Sequence, residues 1–229
     1  YLVMALLLHL NLAPTWHLGA FVPSRLADEG AALGVGVAAG LAALLYSHIF
    51  RGVGAGFEVL QVPIWLKTTV AGLLIGVLGA AFPPTYFYGR YQINQVVSGS
   101  FPVVLLLGML LAKMLAASIT IKGHWQGGLI IPHMFMGAVA GKLVAMLVPG
   151  TDPVLAMAAG MAAFNAAATH TPLASALIVL ALVGFDGAIP IFLASLVGFF
   201  IGQRIELIGN KRHRTEWPLW GAEQESQAS

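Results

Sequence analysis

Residues 127–150 read Gly-Gly-Leu-Ile-Ile-Pro-His-Met-Phe-Met-Gly-Ala-Val-Ala-Gly-Lys-Leu-Val-Ala-Met-Leu-Val-Pro-Gly. A glycine pair opens an apolar run long enough to enter a membrane, and Pro132 sits where proline is tolerated, in the first turn of a helix. A helix that starts inside a bilayer leaves its first N–H groups outside the intrahelical ladder, with the positive end of the dipole behind them. Irregular backbone survives at that depth only where it lines a cavity or is buried in protein. The natural guest of such an end is an anion, so the stretch predicts a place for one.

Composition sets the medium. The 229 residues are 59% hydrophobic and 9% charged, with mean hydropathy +0.87. A soluble domain carries about a quarter charged residues, so the expected class is an all-α membrane protein with broken and tilted transmembrane helices. There is no cysteine, which excludes disulfides and thiolate chemistry. The 27 glycines suit close helix packing in lipid. A net charge of +2 is too small to imply a nucleic-acid partner. No cleavable signal is evident, and Tyr1 stands in the middle of an apolar run, so the chain is expected to begin inside a larger protein.

Outward from residues 127–150, the hydropathy predicts spans over 31–50, 64–82 and 101–121, a polar and aromatic piece over 86–100, and a glycine-rich loop or short amphipathic helix over 51–61. Asp152-Pro153 starts an alanine-rich helix ending near Thr169. Pro172 opens another, stopping near Gly184, and 188–208 is the last span. About eight segments of unequal length result. Short and interrupted helices of this kind build sites near the bilayer midplane. The expected division is a transmembrane domain over 1–208 and a short tail over 209–229. Arg204, Lys211, Arg212 and Arg214 place that tail in the cytoplasm by the positive-inside rule.

Two blocks carry a resemblance. The first is Lys113-Met-Leu-Ala-Ala-Ser-Ile-Thr120, a short loop, then Gly127-Gly128-Leu129-Ile130-Ile131-Pro132 and Gly137-Ala138. The second is Ala159-Gly160-Met161-Ala162-Ala163-Phe164, followed by His170-Thr171-Pro172-Leu173. In this order and at this distance they resemble the second half of the CLC family of chloride channels and proton-coupled anion exchangers. The similarity covers most of residues 31–208.

The resemblance implies the second half of an inverted-repeat fold whose broken helices point their N-termini at a central anion. Gly127 and Gly128 then frame the site, and the N–H groups of Leu129 and Ile130 match the family's backbone donors. A tyrosine near the family's C-terminus is matched loosely by Trp220, within Pro218-Leu219-Trp220; its indole N–H is a donor. The family's first-half serine loop and gating glutamate have no match in the chain. Other departures are local. The glycine-serine loop has become Lys122-Gly-His-Trp-Gln126, bulky enough to reshape the approach. Ile130 stands for the usual phenylalanine, and Ala181 stands where many members have a glutamate.

Family members are homodimers with one pathway per subunit. By resemblance the helices over 31–50, 172–183 and 188–205 supply the interface, and the expected location is a bacterial inner membrane. The implied function is passage of small monovalent anions, chloride-like, through a channel-type pathway, with no cofactor. The alternatives are a proton-coupled exchanger or, in a different class, a non-transporting scaffold or split-protein fragment.

The plainer readings weigh against sharper roles elsewhere. Gly137 and Gly141 form a small-xxx-small pair, as simple close packing would. Lys113, mid-span, is a functional candidate by default, but a snorkelling or carbonyl-paired lysine with a structural role is the simpler expectation. His124, His133 and His170 lack the spacing of a compact metal-ligand set. They are expected in loops or at interfaces, with a proton-relay role for His133 or His170 the lesser reading. Ser98 and Ser100 have no nucleophile motif around them, so no enzymatic chemistry is expected.

Overall fold

A computed structural model describes residues 26–83, 90–185, 187–203 and 205. Among them run eight helices: α1 Leu26–Val59, α2 Ile64–Ala81, α3 Arg90–Ser98, α4 Val103–Lys122, α5 Ile130–Leu147, α6 Pro153–Thr169, α7 Pro172–Val183 and α8 Ala188–Gly202. Helices α1, α2, α4 and α5 are long and apolar enough to cross a bilayer. Helices α6 to α8 are shorter and also apolar. No strand occurs among the described residues.

The helix starts follow local chemistry. Pro63 and Pro102 sit at the N-caps of α2 and α4, and Pro153 and Pro172 open α6 and α7, where a missing N–H costs nothing. Asp152 caps α6: its carboxylate accepts from the N–H groups of Val154 at 2.7 Å and Leu155 at 3.0 Å. Helix α6 ends with His170 in the left-handed region at φ 58°. Of the loop or short amphipathic helix expected after Phe50, the helix is what forms, as part of α1 and not as a separate piece: α1 continues unbroken through Gly52, Gly54 and Gly56 to Val59. Each glycine costs a helix up to about 1 kcal/mol, and packing offsets it: Phe57 is buried and Gly54 lies against Lys122 of α4.

Helix α6 is the centre. Every residue from Leu155 to Ala168 is buried, and α1, α5, α7 and α8 pack around it. Small residues permit this. Gly137 and Gly141 of α5 lie against the Gly160 and Ala156 carbonyls of α6, and Gly198 and Gly202 of α8 lie against those of Ala163 and Ala167. Without a hydrophobic drive between helices in lipid, such backbone approach and its dispersion contacts supply the cohesion. Gly36 and Gly40 of α1 similarly accept Val197 and Ile201 of α8. Hydroxyls in the helices bond back to their own turn, as Ser118 does to Met114 O and Thr120 to Ala116 O, both at 2.7 Å.

Candidate anion site at the start of α5

The loop 123–129 connects α4 to α5 and ends at the glycine pair and Leu129. Gly127 and Gly128 are exposed, Leu129 is half-buried, and Ile130, the first helical residue, is 46% exposed. Leu129 is the N-cap, with φ −95° and ψ −17°, and no side chain caps this helix. The helix therefore starts two residues after the glycine pair. The His133 N–H donates to Leu129 O at 2.9 Å, and Pro132 has no N–H. The amides of Leu129, Ile130 and Ile131 thus precede the ladder, at the positive end of an 18-residue helix. The glycines leave them sterically open: a Cβ on Gly128 would meet nothing within 4 Å, and one on Gly127 only the Thr120 methyl at 3.7 Å. Open amides at a helix N-terminus are the kind of backbone group that can accept a small anion without a side-chain charge.

Of the sequence-derived site, Gly127, Gly128, Leu129 and Ile130 come together on this one exposed end. Trp220 lies outside the described residues. Lys113 is elsewhere: it is 2% exposed within α4, with its ammonium 5.5 Å from the Phe135 ring centroid. It does not snorkel to the surface. His124 is exposed in the loop at φ 65°, and His170 contacts Gly202 O through Nε2 at 2.8 Å. These two fit the loop expectation. His133 overturns it. It is fully buried in α5, its ring 5.5 Å from that of Tyr46 and 5.8 Å from that of Phe164. From Pro132 to Leu143 every residue of α5 is buried, so the helix passes from its exposed end into the core within its first turn and takes His133 with it. Among the described residues no group of histidines and carboxylates is arranged to hold a metal.

One buried charge escaped the sequence reading. Lys142 of α5, 8% exposed, donates from Nζ to the carbonyls of Val96 and Gly99, the latter at 2.6 Å. It caps the C-terminal end of α3, where cations are favoured by the dipole. A lysine inside an apolar span was the available signal, though nothing local names carbonyls more than forty residues away.

The fold defines a helical membrane protein built from short and interrupted spans around a buried central helix. The chain belongs to the voltage gated chloride channel family, whose sequence profile matches residues 4–203. It is 29% identical over 159 residues to an uncharacterised protein of Methanocaldococcus jannaschii, covering 69% of this chain and 40% of that one. A protein of Ralstonia nicotianae named as ClcB-like is 31% identical over 175 residues, covering 73% and 41%. The chain thus spans about two fifths of the length of these relatives. A crystal structure described as a slow cyanobacterial Cl-/H+ antiporter superposes with TM-score 0.70 at 20% identity, over 82% of this chain and 46% of that one. That likeness establishes the shared fold.

Proposed function

We propose that this chain supplies the anion-holding end of a membrane pathway for small monovalent anions of the chloride type. One observation carries the reading: in a member of this family, the N-terminus of α5 is open, glycine-framed and without a side-chain cap. A partly dehydrated anion is held by the N–H groups of Leu129 and Ile130, with Gly127 and Gly128 giving it room. No covalent step is involved. Backbone donors without a fixed opposite charge bind weakly enough to release, which conduction requires. Lys113 adds positive potential to the interior without touching the anion. Trp220 remains a candidate contact by resemblance.

Proton-coupled exchange is the second reading, brought by the superposable structure, itself described as a Cl-/H+ antiporter. The pathway forms within a homodimer in a bacterial inner membrane with the tail cytoplasmic. Leu33, Val37, Leu41 and Leu45 make an exposed apolar stripe on α1, joined by Leu173 and Leu177 of α7 and Ile189 of α8. These are the helices the resemblance assigns to the subunit interface. The test is halide efflux from liposomes containing the full-length protein, with external pH followed in the same sample. Chloride efflux without proton movement is the expected result. Stoichiometric proton movement selects the exchanger, and absence of any halide flux contradicts transport and favours a scaffold or split-protein fragment.

A further inference from the structure

The loop leading to the α5 donors is fastened to α2 by one side chain. Trp125 donates from its indole Nε1 to the backbone carbonyl of Thr68 at 3.0 Å, across 57 residues of sequence. Its own N–H donates to Thr120 O at 3.0 Å. The seat on α2 is shaped for the ring: a Cβ on Gly72 would lie 3.3 Å from Trp125 Cζ2. Gly72 is one turn past Thr68, so the missing side chain uncovers the carbonyl that the indole uses. Just before it, Gly123 fits closely against Ala71 and Phe57. The bulky loop is therefore a fitted contact on two neighbouring positions of α2.

After Trp125 the chain is irregular and exposed through Gln126, Gly127 and Gly128, and then reaches Leu129. Glycine-rich backbone has no preferred conformation of its own. The indole is the nearest long-range side-chain anchor ahead of those glycines. Helix α2, in turn, is largely exposed and has α4 as its principal helix neighbour.

We infer that Trp125 is a positioning residue for the anion site: seated on Thr68 and Gly72, it sets the path of residues 126–129 and thereby the aim of the Leu129 and Ile130 donors. The inference rests on the anion reading above. It makes α2 a part of the site's geometry although α2 contributes no donor. Backbone donors act by direction and distance, so a shift of the loop changes both affinity and the order of preference among anions of different radius.

The experiment uses the full-length protein in nanodiscs. Trp125→Phe keeps an aromatic ring and deletes the N–H; Gly72→Ala crowds the seat. Chloride and nitrate affinities by isothermal titration are compared with backbone hydrogen exchange over Gly127–Ile130. Loss of one hydrogen bond shifts equilibria by roughly two- to tenfold. For Trp125→Phe the expected result is chloride affinity weakened within that range, a changed chloride-to-nitrate ratio, faster exchange over Gly127–Ile130 and an unaltered melting temperature. Gly72→Ala gives a smaller change in the same direction. Unchanged affinity, ratio and exchange in Trp125→Phe overturn the inference, and so does a lowered melting temperature with both anion readouts unmoved. Wild-type protein that binds neither anion contradicts the site itself; the exchange comparison then decides the staple, and unchanged exchange overturns it.

Discussion

Gly137 of α5 and Gly160 of α6 exclude each other's side chains: a Cβ on either would overlap the carbonyl oxygen of the other. The reciprocity makes this contact the tightest kind of helix crossing, backbone against backbone. Gly137→Ala is expected to destabilise the protein by about 2 kcal/mol or more, since overpacking here forces whole helices apart. Gly30→Ala, at a position where a Cβ meets nothing within 4 Å, is expected to be neutral or to stabilise by up to about 1 kcal/mol through helix propensity. Thermal unfolding of the detergent-solubilised variants checks the contrast.

Lys142 ties α5 to the end of α3 through the carbonyls of Val96 and Gly99. Lys142→Met keeps most of the stem's packing and removes the donors. Stranding buried acceptors costs roughly 1–3 kcal/mol, so a loss of about 2 kcal/mol is expected, with hydrogen exchange faster over residues 92–99. Exchange confined to its wild-type rate there would show that α3 holds its end without the lysine.

These outcomes bear on what the amino-acid sequence reveals. Helix starts are legible where proline or aspartate marks them, at Asp152-Pro153 and Pro172. The open amides at the start of α5 are legible because they are backbone groups, which the side chain of Ile130 does not alter. The extent of α1 is not, because its glycine-rich end is held by tertiary packing, with Phe57 buried and Gly54 against Lys122 of α4. Nor are the seat of Trp125 and the partners of Lys142, since each depends on a carbonyl that tertiary packing brings from far along the chain. The burial of His133 is hidden because nothing local shows that α5 is enclosed on all sides from Pro132 to Leu143.

His133 itself gives a third prediction. Neither ring nitrogen makes a hydrogen bond of ordinary geometry, while the Tyr46 and Phe164 rings pack around it. His133→Met, similar in length and apolar, is expected within about 1 kcal/mol of wild type. His133→Ala leaves a cavity and costs about 3 kcal/mol. A large loss on substitution by methionine would mean that the imidazole's polarity, and not its volume, is what the core uses. Chemical unfolding of the purified variants separates the two.

The cap on α6 is a local matter with a global position, because α6 is the helix that the others surround. Asp152→Ala removes the acceptor used by the Val154 and Leu155 amides. A loss of about 1 kcal/mol is expected, read as a lowered melting temperature, with Asp152→Asn recovering most of it.

The central claim, an anion held by backbone amides at the start of α5, is tested most directly by bromide. Crystals of the full-length protein grown in bromide, measured at the bromine absorption edge, locate the ion without reference to any assay. The account predicts an anomalous peak beside the amides of Leu129 and Ile130, adjoining Gly127 and Gly128. Bromide bound elsewhere along the pathway, with nothing at that helix end, would contradict it.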